Sequence, residues 1–489
     1  MGEERFLDRI VSATRRRVAE KKEQVSVEAL REKVAGASPP RRFAAALRPA
    51  GLGPARLIAE VKRASPSKGQ LAEVLDPSGQ ARAYAEGGAA AVSVLTEPQL
   101  FLGSLDDLVA VRSATDVPIL CKDFFLDEYQ VYEARAAGAD AILLICAMLD
   151  DRLLAQLFHL ASLLGMESLI EAHSAEEIKR ALRLQAESPI IGINCRDLQT
   201  FTVDTSLAAR LGHLVPRSGI LVAESGIADR VQAAQARAWG ADAILVGEAL
   251  VRSPAVTQAT RALATAPGGT FARLFGRSER PFVKLCGISE PQHAVLASTL
   301  RADAIGLVFA PSHRQVSLDR ARLVAQAATG PLIVGVFVNE SADAIASIAT
   351  DVGLGAIQLS GDEPPEVIAE VAEKTSLPVI KGLRLPSGSP DEALDEYALA
   401  GAALLLDTPS ADGKYGGTGQ VGDWTQAHRM ARRWPIIISG GLTPQNVSAA
   451  LVSILPAGVD VSSGIENNRA KDAAKMRDFV FQTREASRA

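Results

Sequence analysis

Glu60 and Lys62 stand two residues apart in LIAEVKRASPSKGQ (57–70), a stretch whose first half is otherwise apolar. A strand repeats every two residues, so both side chains point the same way. Burying either charge is costly unless it is paired. Opposed carboxylates and ammoniums in a low-dielectric mouth can also tune one another for general acid–base work. The same spacing recurs at Asn194 and Arg196 in IIGINCRDL, at Lys284 and Cys286 in FVKLCGI, and at Asp460 and Ser462 in GVDVSSG. Single polar residues close other apolar runs: Lys122 in PILCKDFF, Glu171 in SLIEAH, Glu224 in ILVAESG and Asp407 in ALLLDT. One such pair is compatible with a structural ion pair. Several of them, each late in its run, point to two active sites.

The two groups differ in chemistry. Lys62, Lys122, Glu60 and Glu171 form an acid–base set, with Asn194 to orient a ligand and Arg196 either beside it or clamped beneath it. Cys286 is expected to face Asp407, a base opposite an acid, with Lys284 on the cysteine's own face favouring a thiolate. Cys121 and Cys195 adjoin site residues but face away from them, and with Cys146 they read as packing. A Schiff base on Lys62 or Lys122, as in an aldolase, is the rival chemistry for the first set, and a phosphate-binding scaffold without activity is the rival for both.

A repeated phrase shows what positions these residues. AAGADAILLI (136–145), AWGADAILVG (238–247), LRADAIGLVF (300–309) and LAGAALLLD (399–407) each end a helix-like stretch and open an apolar run. Such runs are what parallel strands buried on both faces look like. Eight fall between residues 56 and 247 and eight between 282 and 461, mostly separated by amphipathic segments of helix length. Eight strand–helix units close into a barrel of about 250 residues, with its site at the C-terminal strand ends. An open doubly wound sheet does not need eight units twice.

The expected fold is therefore α/β, two tandem (β/α)8 TIM barrels, the first with an N-terminal helical extension. The boundaries are 1–264 for the first barrel, including the extension at 1–55, then a linker at 265–280 and a second barrel at 281–489. Arg15, Arg16 and Arg17 in the extension read as a solvated helix face or as a lid over an anionic substrate. Glycine-rich turns after the last two strands of each barrel, AESGI and LVGEAL, then ISGGLTPQN and DVSSGIE, can aim backbone N–H groups at a phosphate.

A chain of 489 residues with 52 basic and 57 acidic side chains carries no basic footprint for nucleic acid or a membrane surface. Its four cysteines are scattered and make neither a disulfide framework nor a metal set. With no apolar stretch long enough to span a bilayer, the expectation is a cytoplasmic protein without metal or cofactor. A monomer is compatible with the sequence, which leaves assembly open.

These motifs carry a resemblance. Through AEVKRASPSKG, LCKDFFLDEYQVYEARAAGADAILLI, LIEAH, INCRDLQTF and AESGI, the first half resembles indole-3-glycerol-phosphate synthase. Through VKLCGIS, PSHRQVS, GVFVNE, LLLDT, YGGTG, ISGGLTPQNV and DVSSGIE, the second resembles phosphoribosylanthranilate isomerase. Together they resemble the bifunctional enzymes of tryptophan biosynthesis that fuse both activities. The resemblance implies phosphorylated anthranilate-sugar substrates and assigns roles. Lys122 would be the general acid of ring closure, Lys62 would hold the substrate carboxylate, and Glu171 would be base or relay with Glu60 beside it. Asn194 and Ser225 would position the substrate with Glu224 nearby, and Ser65, Gly226 and Gly247 would hold phosphate. In the second half Cys286 would be the base and Asp407 the acid. Arg314 would meet the anthranilate carboxylate, and Gly441, Ser462, Ser463 and Gly464 would line the phosphate site. Two departures stand out: Glu248, where many synthases carry Ser, is expected to turn away from phosphate, and Ser360 stands where many isomerases have His.

Overall fold

The computed structural model describes residues 6–66, 68–71, 76–184, 187–197, 200, 202–408 and 422–486. The chain divides into two compact units, Met1–Ala266 and Pro267–Ala489. In the first, eight parallel strands follow one another around a closed barrel: β1 (Arg56–Val61), β2 (Ala91–Leu95), β3 (Ile119–Lys122), β4 (Ala141–Ile145), β5 (Glu167–Ala172), β6 (Ile190–Asn194), β7 (Ile220–Glu224) and β8 (Ala243–Val246). Closure pairs Ile58 on β1 with Leu245 on β8. Strands such as β2, β4 and β6 are buried along their whole length, which explains their unbroken apolar sequence. Between them, Asp76, Ser104, Asp127, Asp150, Ser174 and Asp229 each accept a backbone N–H of the helix that follows. Each cap satisfies one otherwise orphaned donor and fixes where its helix begins. The repeated Gly-Ala-Asp phrase ends helices with left-handed glycines, Gly138 at φ 96° and Gly240 at φ 100°, a conformation other residues adopt at a cost.

The N-terminal extension serves both ends of this barrel. Helix α1 (Phe6–Gln24) is tied to the mouth, where Arg17 reaches Asp123 at 2.7 Å, and Tyr129 donates its hydroxyl to the carbonyls of Lys21 and Val25 at 3.0 Å each. Arg15 and Arg16 are exposed. The arginine run thus divides into one anchor and a solvated face. Helix α2 (Val27–Ala35) starts on the Ser26 cap. The chain then passes to the opposite end, where the N–H groups of Arg41 and Ala44 donate to Asp140 and Glu167 at the strand starts. There Phe43 and Leu47, both fully buried, join Ile58, Leu120, Leu169 and Val222 in the barrel core.

The second unit repeats the plan: β9 (Phe282–Cys286), β10 (Ala304–Val308), β11 (Leu332–Phe337), β12 (Ala356–Leu359), β13 (Val379–Leu383), β14 (Ala403–Leu406), β15 (Ile436–Ile438) and β16 (Gly458–Val461) close into a barrel. All sixteen runs expected from sequence are strands. The stretch expected as a linker differs: residues Gly269–Leu274 form a helix whose Phe271 is fully buried and stacks on Trp434 at 5.6 Å. The expected YGGTG motif, at 415–419, lies outside the described residues. Among the described residues no helix is long and apolar enough to cross a membrane.

Candidate active sites

The polar strand ends of the first barrel meet in one cavity of about 740 Å³. Glu60 sits at its centre, accepting Lys62 Nζ on one oxygen at 2.8 Å and Lys122 Nζ on the other at 3.1 Å. Lys122 also reaches Glu224 at 3.4 Å. Glu171, Asn194, Arg196, Ser225, Ser65, Gly226 and Gly247 line the same space, with Leu7 and Ile10 of α1 and Phe124 supplying apolar wall. Glu224 is placed behind Lys122, off the lining. Asn194 commits its side-chain oxygen to the Ser225 hydroxyl at 2.8 Å and the Arg196 N–H at 3.0 Å. Ser225 itself holds φ 66°, a strained left-handed conformation for a residue with a side chain. Ser65 Oγ is buried without a hydrogen-bond partner. Glu248 lines the cavity, and its carboxylate pairs with Arg252 one helical turn on at 3.5 Å.

The charges sort the roles open to each group. Burial opposes ionisation of Glu60, but Lys122 and Lys62 outweigh it and hold that carboxyl at about 2. Burial would lower Lys122, yet Glu60, Glu224 and Glu171 together raise it above the ordinary lysine range. Glu224 goes the other way. Burial, with Glu171 and Glu60 nearby, pushes it to about 8 against the pull of Lys122. A carboxyl raised this far above its unfolded value costs stability as pH climbs from the ordinary carboxylate range toward 8. Glu224→Gln, neutral at every pH, is therefore expected to raise Tm at pH 8 by about 3 °C or more. That gain should shrink toward pH 4 in a melting series.

In the second barrel, Lys284 is fully buried and bonded to Asp460 at 2.8 Å. Cys286 and Asp407 both feel this pair. Asp407 is raised to about 6 by burial and by Asp460. Cys286 corrects the expectation of a favoured thiolate: Lys284 does pull its pKa down, but burial prevails and the thiol lies above its ordinary value. Arg314 is already paired. It reaches the mouth, where its Nε and a terminal nitrogen hold both oxygens of Glu466 at 2.7 and 2.9 Å, so its carboxylate fork is already engaged. Gly441 and the Ser462–Gly464 turn come together, for a Cβ on Gly464 would overlap the Leu442 carbonyl. Ser462 donates to the Cys286 carbonyl at 3.2 Å, tying this turn to the cysteine's strand. Ser360 accepts a hydrogen bond from Gln358 at 3.0 Å.

Several residues without an assigned role belong to these sites. Lys471 bonds Glu466 at 2.8 Å and the Ser462 carbonyl at 2.9 Å, brought there by a two-residue hairpin with positive φ at Asn468 and Arg469. Asn at such a turn is the sequence signal for it. Three glycines make room for reactive groups: a Cβ on Gly192 would overlap Glu224, one on Gly247 would lie 2.5 Å from Glu60 Oε1, and one on Gly306 would lie 2.8 Å from Cys286 Sγ. Glycine inside a strand signals this kind of close approach. The four cysteines are unpaired and buried.

Fold and sites together define a tandem β/α-barrel protein with two clusters of titratable groups, each beside glycine-rich turns. Comparison with known proteins narrows this. Residues 7–263 match the family model for indole-3-glycerol phosphate synthase, and residues 283–482 match that for N-(5'-phosphoribosyl)anthranilate isomerase. The multifunctional tryptophan biosynthesis protein of Phycomyces blakesleeanus is 38% identical over 479 residues, covering 87% of this chain and 62% of that protein. Tryptophan biosynthesis protein TRP1 of Phytophthora nicotianae is 35% identical, covering 83% of this chain and 87% of that protein. Indole-3-glycerol phosphate synthase of Roseiflexus is 47% identical over 266 residues, covering 53% of this chain and 97% of that protein. The chain belongs to the indole-3-glycerol phosphate synthase family and carries a phosphoribosylanthranilate isomerase domain behind it. It spans 59–65% of the length of the first three multifunctional relatives it matches.

Proposed function

We propose that this chain performs two steps of tryptophan biosynthesis. The second barrel isomerises N-(5-phosphoribosyl)anthranilate to 1-(2-carboxyphenylamino)-1-deoxyribulose 5-phosphate. The first converts that product to indole-3-glycerol phosphate with loss of CO2 and water. The observation that carries this reading is the joining of Glu60, Lys62 and Lys122 in one cavity that also takes in Glu171, Asn194 and Ser225, in a chain of this family.

In the synthase barrel, the aromatic carbon bearing the carboxylate attacks the sugar ketone, and Lys122 protonates the developing alkoxide. Charge held on Lys122 by Glu60 suits an acid that must donate to so basic an oxygen. Lys62 pairs with the substrate carboxylate until CO2 leaves. Glu171 then removes a proton from the methylene carbon beside nitrogen, while Lys62, freed by the loss of CO2, gives the hydroxyl the proton with which it departs as water. Because the Asn194 oxygen is engaged, its amide nitrogen is the group left to bind substrate. Ser65 Oγ and the backbones of Gly226 and Gly247 hold the phosphate, and the apolar wall receives the aryl ring.

In the isomerase barrel, Asp407 protonates the ring oxygen to open the sugar and Cys286 removes the C2 proton. Arg314 takes the anthranilate carboxylate in exchange for Glu466, which Lys471 retains. Gly441, Ser462, Ser463 and Gly464 supply the phosphate cradle. A protonated acid and an ionised base must coexist, so kcat/KM should show an acid limb near pH 6, where Asp407 titrates, and an alkaline limb set by the raised thiol. An isomerase profile whose acid limb lies near pH 4 would contradict that assignment. Buried, unpaired cysteines support a reducing, cytoplasmic setting.

The test is direct. Purified protein incubated with N-(5-phosphoribosyl)anthranilate should yield first a product of unchanged mass, then one lighter by CO2 and water. Failure of a folded preparation to do either would overturn the assignment.

A further inference from the structure

Next to Glu171, and outside the residues lining the cavity, His173 lies between two carboxylates. Its Nε2 faces Glu171 Oε1 at 3.6 Å and its Nδ1 faces Glu177 Oε2 at 3.6 Å. These two ring nitrogens and Glu171 Oε1 are buried without a hydrogen-bond partner. Buried polar atoms are normally satisfied, so three orphans in a row ask for a reason. A second proton on the ring, with a closing movement of about 0.8 Å on each side, would satisfy all of them at once.

Glu177 is built to hold the ring in place. It lies on the helix Ala175–Leu182, and its Oε2 also accepts the His173 backbone N–H at 2.6 Å. The other groups facing this site are accounted for. Glu224 on β7 acts on the ring from the strand side, and Arg180 acts on Glu177 from its own helix. Cys146, whose thiol donates to the Glu177 carbonyl at 3.7 Å, is kept neutral by burial. Burial works against charging His173, but Glu177, Glu171 and Glu224 overcome it and raise the ring above the ordinary histidine value.

We propose that His173, held by Glu177, is a positioning residue for the synthase reaction: doubly protonated, it donates through Nε2 to Glu171 and through Nδ1 to Glu177, fixing the base in place with a positive charge beside it. This rests on the reading of Glu171 as the base. The role is distinct from that of Lys122, which also acts on Glu171 but must approach the substrate. His173 has no such duty and is free to remain with the carboxylate throughout turnover.

Removing a cation beside a carboxylate disfavours its ionised form, so the base should be lost at a higher pH. The experiment is a synthase pH profile for wild type, His173→Gln and Glu177→Gln, with Lys122→Ala in parallel. His173→Gln should lower kcat about tenfold, leave KM within about twofold and move the acid limb of kcat/KM up by about one pH unit. Glu177→Gln, which keeps the ring but loosens it, should move the limb the same way by less. An unmoved limb in His173→Gln overturns the proposal. Should that variant not fold, an unmoved limb in Glu177→Gln overturns it instead. If Lys122→Ala retains synthase activity, the functional reading itself fails. If Lys122→Ala is inactive while the limbs stay fixed, the positioning role alone fails.

Discussion

Lys122→Ala should lose synthase activity by about a thousandfold or more and keep isomerase activity. The lysine closes β3 at the mouth, where it meets Glu60 at 3.1 Å and Glu224 at 3.4 Å. The neighbours are poorly placed to replace its proton: Lys62 is bound to the other Glu60 oxygen, Glu60 is held ionised by both lysines, and Glu224 lies behind Lys122, off the cavity lining. Breaking a buried ion pair usually destabilises by about 3–5 kcal/mol because a charge is left alone. Here the loss should be smaller, because Glu60 keeps Lys62 and Glu224 already tends to hold a proton. The synthase barrel should therefore fold. Lys122→Met, which retains most of the side chain's volume, separates lost packing from a lost acid. Chromatographic separation of the substrate and both products in one reaction checks the outcome, since the isomerised intermediate, equal in mass to the substrate, should accumulate. Synthase turnover surviving in either folded variant would remove Lys122 from the mechanism.

Cys286→Ala is the mirror experiment and should abolish isomerase activity by about two to four orders of magnitude, with synthase turnover unchanged when its own substrate is supplied. Sγ is the group at the end of β9 that shares the Lys284–Asp460 field with Asp407. Lys284 cannot act in its place, since it is fully buried and bonded to Asp460 at 2.8 Å. Removing one sulfur from a packed site costs about 1 kcal/mol, well short of unfolding a barrel, so intact synthase and near-normal melting should accompany the loss. A folded variant that still isomerises would make the proton acceptor some other group.

Much of this was legible in the sequence because a parallel barrel imposes strong local rules. Strands buried on both faces read as unbroken apolar runs, and a polar residue late in such a run has little reason to be there except the mouth. Glu60, Lys62, Lys122, Glu171 and Asn194 were found that way, and all five line one cavity. What stayed hidden depends on contacts or depth that spacing does not encode. The partner that Arg314 already holds, Glu466, is 152 positions away. The sign of the Cys286 shift depends on burial outweighing Lys284, which sequence cannot weigh. Phe271 and Phe275 are one helical turn apart in the stretch expected as a linker, but so short an apolar repeat is easily missed among Gly, Pro and Arg. His173 was in view within LIEAH, yet its link to Glu177 appears only when the next helix folds back.

Gly192, Gly247 and Gly306 bear on how such a protein tolerates change. Each has no side chain where a reactive one lies across from it, so the hardware of the reaction includes three gaps as well as its acids and bases. Filling a gap with one methyl group would dislodge a functional atom while leaving every titratable residue in the protein intact. Mutational scans of barrel enzymes that score chemistry alone would misread such losses as failures of stability, when the defect is a displaced Glu224, Glu60 or Cys286 side chain.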